Sequence, residues 1–282
     1  MTDHHVGLVV PSSNLTMETE LPRMLHERER AVPDERFVFH SSRMRMKHVT
    51  PEELQRMNAQ TERASLELAD ARPDVVASAC LVAIMAQGAG YHCHAEAQIA
   101  GVLEGEGLNC PVVSSAGALL RGLEALGARR IAMVTPYMKP LTKLVADYIE
   151  DAGVEVVDAL SLEVSDNLAV ARLDPAGLRD HWRKVDTAGA DALVLSACVQ
   201  MPSLSSIQPV EDEAGLPVLS AATATVFTIL TELGLQPKVP DAGRLLSGEV
   251  TMAPAPRPTP DATSQRLPSP APQVGGDQAM AQ

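Results

Sequence analysis

The chain has 282 residues, 45% of them hydrophobic but only 2% aromatic, and a formal net charge of −13. That length can bury one large or two medium cores made of Ala, Val, Leu, Ile and Met. So acidic a chain, without a Lys/Arg run, excludes nucleic acid and anionic membrane surfaces as partners, because phosphate binding needs clustered cations.

In chain order, residues 6–11 (VGLVVP) read as a first strand, 15–30 as a helix and 36–42 (RFVFHSS) as a second strand. Residues 50–71 read as one helix, opened by Thr50 with Glu53 three residues on and Pro51 at the first helical position. Residues 73–79 (PDVVASA) and 110–116 (CPVVSSA) read as a third and a fourth strand, with a helical stretch near 93–104 between them. This alternation predicts a parallel sheet covered by helices on both faces.

The pattern then repeats. Residues 129–136 (RRIAMVTP) match the first strand, 190–198 (ADALVLSAC) match 73–80, and 216–234 match 110–127. The chain is therefore predicted to be α/β, with two similar Rossmann-like halves, each a four-stranded parallel sheet flanked by helices, and a cleft between them. The predicted boundaries are 1–115 and 116–250; the last helix packs on either half. Residues 251–282 hold seven prolines, bury too little to offset their ordering entropy, and are expected to be a disordered tail.

Four cysteines, Cys80, Cys93, Cys110 and Cys198, fall far short of a disulfide framework and predict free thiols in a reducing cytoplasm. No segment reaches the ~20 apolar residues of a membrane span, and residues 1–14 show no signal peptide. An acidic protein still accommodates a small anion where backbone N–H groups converge.

In open parallel sheets ligands bind beyond the carboxyl ends of the strands. There the chain twice places Ser-Ala-Cys, ending in Cys80 and Cys198. One strand-end cysteine is usually a small buried hydrophobe; a matched pair suggests one thiol on each side of a cleft. A thiol at a helix start is expected to have a lowered pKa, and a second thiol opposite can move a proton on the far side of a substrate. Carbanion chemistry beside a carboxylate needs oxyanion donors, for which Ser12, Ser13, Asn14 and Asn167 are candidates. His92, Cys93 and His94 are adjacent, cannot all face one ion and predict no metal site. Residues 85–94 read as a polar loop hinged at Gly88 and Gly90. Gly88-Ala89-Gly90 does not extend to a dinucleotide fingerprint. Lys139 reads as a surface residue, Asp166 as a turn cap and Cys110 as core.

Together, GLVVPSSNLTMETELPRML (7–25), SACLVA (78–83), VTPYMKPL (134–141), VSDNLAVARL (164–173) and SACVQMPS (196–203) resemble the maleate cis–trans isomerases of the aspartate/glutamate racemase superfamily. The likeness spans most of 6–235 in order and spacing. It implies that Cys80 attacks the double bond of maleate and that Cys198 donates and accepts the proton. It implies that Asn14, Tyr137 and Asn167 bind the carboxylates, with further contacts from Leu81, Val82, Val199 and Gln200. It also implies no cofactor, a homodimer and a place in the breakdown of nicotinate-like aromatics. Two-thiol amino-acid racemases resemble this pattern but carry polar pairs after each cysteine, where this chain has Leu81-Val82 and Val199-Gln200. Arylmalonate decarboxylases work with one cysteine. A non-catalytic dicarboxylate-binding module is the rival from another class.

Overall fold

The computed structural model of the chain describes residues 1–254. β1 (Thr2–Pro11) is exposed at its start and fully buried from Val6 onward, as a strand becomes when helices cover both faces of its sheet. It is followed by α1 (Met17–Ala31), β2 (Glu35–Met44), α2 (Pro51–Asn58), α3 (Thr61–Ala69), β3 (Val75–Ser78), α4 (Leu81–Met85), α5 (Tyr91–Gly105) and β4 (Val112–Ser114). These strands pair in parallel in the order β2-β1-β3-β4.

After α6 (Ser115–Ala125) the plan recurs with β5 (Arg130–Thr135), α7 (Lys139–Asp151), β6 (Glu155–Ser161), α8 (Asn167–Ala171), α9 (Leu178–His181), β7 (Ala192–Ser196), α10 (Leu204–Ala214) and β8 (Val218–Ser220). The second sheet has the order β6-β5-β7-β8, again all parallel. α11 (Ala221–Glu232) follows β8 directly. In each sheet the chain leaves the first strand to one side and returns on the other, so the order switches between β1 and β3 and between β5 and β7. A crevice opens beyond the strand ends at such a switch. The segments after β1, β3, β5 and β7 are the ones that carry Asn14, Cys80, Tyr137 and Cys198.

The last helix packs on the first sheet: α11 lies against α1, β3 and β4 as well as α6. Every residue from Ala221 to Thr231 is buried, as a helix held between layers requires. Its hydroxyls are satisfied internally, Thr225, Thr228 and Thr231 donating to the carbonyls of Ala221, Ala224 and Phe227. At the crossing with α6, Gly122 has no side chain, and a Cβ there would lie 3.2 Å from that of Ala224 and 3.3 Å from Leu219 Cδ1 of β8.

Two local expectations are corrected. The helix expected over 50–71 is two helices, α2 and α3, broken at residues 59 and 60. At the break the Gln60 side chain accepts from the Arg45 N–H and donates to the Arg45 carbonyl, clamping the chain end beyond β2. Thr50 caps α2 as expected, accepting from the Glu53 N–H, but the Glu53 carboxylate turns to the amides of Lys47 and His48. The loop expected over 85–94 shrinks to residues 86–90, because α5 already starts at Tyr91. Gly90, at φ 68°, makes the left-handed turn into that helix. His92 is held there by the Tyr148 hydroxyl of α7, which meets both its N–H (3.1 Å) and its Nδ1 (2.6 Å).

Among the described residues no helix is long and apolar enough to cross a membrane. The tail expected over 251–282 lies, from residue 255 on, outside the described residues.

Candidate active site

Cys80 sits at the turn from β3 into α4. Ala79 donates its N–H to the Val9 carbonyl, the last tie to the sheet. Cys80 then adopts φ 85° and ψ 66°, the left-handed region, and its own carbonyl accepts from Ala83 and Ile84 to begin α4. A non-glycine residue there is strained, and such strain gathers at functional sites. The turn has the same logic as the strand-to-helix elbow that presents a nucleophile above a sheet.

Cys198 sits at the equivalent place after β7, but without positive φ. Its loop is shaped by Ser196, whose hydroxyl donates to the carbonyls of Cys198 (2.9 Å) and Met201 (3.3 Å). The Gln200 N–H points at Cys198 Sγ from 3.4 Å, and the Met201 amide and the Tyr137 hydroxyl also donate to this sulfur. Tyr137, just beyond β5, is 8% exposed and feels the charge of both sulfurs. The sequence-predicted pair is thus brought together, with Tyr137 beside it.

Burial governs the electrostatics. Loss of hydration pushes the Cys80 thiol up to about 12, opposed by the Ala83 amide and assisted by the charge of Cys198. It raises Cys198 as well, against the pull of Tyr137 and the two loop amides. This reverses the expectation of lowered thiol pKa values. α4 spans only Leu81–Met85, so its dipole is small, and exclusion of water from a sulfur less than a tenth exposed outweighs it.

Three polar side chains edge the pair. Asn14 is buried; its Oδ1 accepts from Thr16 and Met17 at the start of α1, and its Nδ2 faces the Val199 carbonyl at 3.5 Å. Asn167 opens α8 and donates to Ser13 Oγ at 2.7 Å. Asp166 caps that helix through the Ala169 N–H, as the sequence predicts. The Gln200 side chain is fully engaged: Oε1 accepts from the Leu15 N–H (3.0 Å) and Nε2 donates to the carbonyls of Ser13 and Asn167 (2.9 Å each). Leu81, Val82 and Val199 are buried hydrophobes, so what they offer a polar ligand is their backbone. The first amides of α4 have no intrahelical partner.

Other sequence-predicted positions lie apart from the pair. Lys139 is exposed at the start of α7. Ser12 hydrogen-bonds the backbone of Met46. Cys110 is half-buried and packs against the core, and Cys93 is exposed on α5. Among the described residues no group of three His, Cys, Asp or Glu is placed to hold a metal. A cavity of about 30 Å³ adjoins Cys80, lined by Met44, Ser78, Tyr91 and Ile99 among others. A groove of about 490 Å³ lies elsewhere, between α10 and residues 238–249, and touches neither thiol.

Sequence reasoning missed the contacts that bind the two strand-end clusters to each other. The Thr16 hydroxyl donates to the Gln200 carbonyl at 2.6 Å, and Glu20 of α1 accepts from the amides of Ser203 and Leu204. The partners stand more than 180 positions apart, and no local pattern signals them.

Comparison with known proteins gives three findings. A family model described as arylmalonate decarboxylase matches residues 6–246. The maleate isomerase of Geobacillus stearothermophilus is 57% identical over 244 residues, 86% of this chain and 97% of that protein; the one from Alcaligenes faecalis is 55% identical over 248 residues, covering 88% and 98%. Among solved structures, a cysteine-to-alanine form of a Pseudomonas putida S16 maleate isomerase with maleate superposes with TM-score 0.86 and 54% identity, covering 88% of this chain and 99% of that one. A cysteine-to-serine mutant of Nocardia farcinica maleate cis–trans isomerase, which carries a covalently bound succinylcysteine intermediate, matches with TM-score 0.84 and 49% identity, covering 87% and 98%.

Proposed function

The chain belongs to the maleate isomerase family and also matches the arylmalonate decarboxylase model, and from that premise we propose that it converts maleate to fumarate without a cofactor, Cys80 adding to carbon and Cys198 moving the proton. The observation that carries this reading is the asymmetric pair: Cys80 on a strained turn, Cys198 hydrogen-bonded by Tyr137 and the Gln200 amide.

Maleate cannot rotate about its double bond. The Cys80 thiolate forms a C–S bond at one alkene carbon, the π pair moves to the other, and Cys198 S–H gives that carbon its proton. The bond left behind is single; it rotates and separates the two carboxylates. The Cys198 thiolate then takes a proton back, the electron pair re-forms the double bond, and Cys80 leaves as thiolate. Each sulfur ends as it began. A thiolate meeting a dianion needs compensating donors, and in this reading Asn14 Nδ2, Asn167, Tyr137 and the backbone at Leu81, Val82, Val199 and Gln200 supply them. The engaged Gln200 side chain leaves its backbone for that role.

The reading includes a homodimer acting in a reducing cytoplasm on the breakdown of nicotinate-like aromatics, built from units 1–115 and 116–250. The family resemblance supports the dimer and the route, and cysteines without a disulfide among the described residues are in keeping with the compartment.

Proton NMR of maleate with the purified protein, thiols reduced and no cofactor added, is expected to show fumarate growing in. Cys80→Ala and Cys198→Ala are each expected to lose about 10²–10⁴-fold or more in kcat; wild-type turnover in either refutes the paired-thiol mechanism. The family model's description favours decarboxylation as a second reading, which carbon dioxide release from an arylmalonate without maleate turnover would support.

A further inference from the structure

The loop that carries Cys198 is fastened from the other half of the molecule. Residues 197–203 lead from β7 into α10, and no side chain of that segment caps α10, whose first amides have no intrahelical partner. The cap comes from α1. Glu20, 8% exposed, accepts through Oε1 from the Ser203 N–H at 2.7 Å and the Leu204 N–H at 2.8 Å, and through Oε2 from the Ser203 hydroxyl at 3.3 Å.

This contact completes a series. Asn14 meets the Val199 carbonyl, Thr16 the Gln200 carbonyl, and Glu20 the Ser203 and Leu204 amides, so the start of α1 runs alongside the whole loop. Between these fixed points the Gln200 N–H is aimed at Cys198 Sγ. Burial raises the proton affinity of Glu20, and the amides of Leu204 and Ser203 oppose that rise. A carboxylate at the N-terminal end of α10 is also favoured by the helix dipole.

Building on the proposed isomerisation, we propose that Glu20 is a positioning residue: it fixes the far end of the Cys198 loop so that this sulfur, and not Cys80, is held where the proton must be given and taken. The role is specific to one thiol, which separates it from general support of the fold.

The test uses the full chain with Glu20→Ala and the shape-conserving Glu20→Gln. Thiol alkylation by iodoacetamide, followed site by site with peptide mass spectrometry, needs no substrate. In Glu20→Ala, Cys198 is expected to react about tenfold faster or more, through local opening of its loop, while Cys80 keeps its rate; Glu20→Gln should shift Cys198 less. With maleate, kcat of Glu20→Ala is expected to fall about 10²-fold, the scale of a misplaced reacting group, with KM little changed and partial recovery in Glu20→Gln. Equal acceleration at both thiols, no acceleration at Cys198, or wild-type kcat in Glu20→Ala overturns the proposal. Absence of maleate turnover in the unaltered chain would remove the isomerase reading, and the alkylation contrast would still decide the positioning role.

Discussion

At Cys80 the backbone stands at φ 85° and ψ 66°, a region that costs an L-residue about 1–2 kcal/mol and glycine nothing comparable. Cys80→Ala and Cys80→Gly both remove the thiol and are expected to lose turnover alike, but to differ in stability. Elsewhere Ala is the more stable of the two; here Cys80→Gly is expected to exceed Cys80→Ala by about 1 kcal/mol, read as a higher midpoint in urea. The chemistry of the pair has a pH signature too. Both thiols are raised by burial, Cys80 to about 12, so near neutrality the resting site holds two protons where the mechanism needs one. Raising the pH removes one. kcat/KM for maleate is therefore expected to climb with pH, by nearly tenfold per unit above neutrality, up to the point where the protein unfolds; a profile that falls above pH 7 contradicts this. The sequence locates both cysteines because Ser-Ala-Cys recurs at a predictable place. It does not reveal their protonation, since burial depends on what packs over them, nor the strained turn, since Cys80 carries no glycine signal.

The elements owe their legibility to short apolar runs that end near Pro or Ser. β1, β3, β5 and β7 lie at the sheet centres, are buried along their apolar stretches and announce themselves. β6 is half-exposed along most of its length, and the sequence marks it only by Ser165-Asp166-Asn167 beyond its end. The break between α2 and α3 is invisible locally, and the contact made there, Gln60 to the Arg45 backbone, lies 15 positions away. The crossing of α6 and α11 also depends on distant packing. Gly122 lets the helices meet where a Cβ would already be tight against Ala224, Leu245 and Leu219. Gly122→Val is expected to cost about 1–3 kcal/mol by overpacking, in contrast to the gain that replacing a helical glycine by a larger residue normally brings. Thermal unfolding of the variant against the parent checks the sign.

On the scale of the whole molecule, the first sheet and the segment after α11 are joined by polar side chains as well as by packing. Arg28 of α1, 2% exposed, grips the Glu35 carboxylate of β2 with Nε and Nη2 and donates through Nη1 to the carbonyls of Gln236 and Lys238, in the segment after α11. Arg28→Met removes the cation and leaves four acceptor oxygens without it; the expected loss is about 3–5 kcal/mol, measurable as a shift in the urea midpoint. Arg121 of α6 and Glu232 of α11 form a second ion pair, between those two helices. Such ties are not legible in sequence, where the partners of Arg28 in the last segment stand some 210 positions away.

The position of α11 bears on the order in which the protein can be made. Synthesis runs from the N-terminus, and domains generally fold as they emerge. The first sheet is complete in sequence at Ser114, yet the helix that lies on its β3 and β4 does not begin until Ala221. A nascent chain stalled between those points is expected to hold an open apolar face, and closure must await contacts of high sequence separation, which form slowly. The first sheet thus leaves the ribosome well before the helix that seals it.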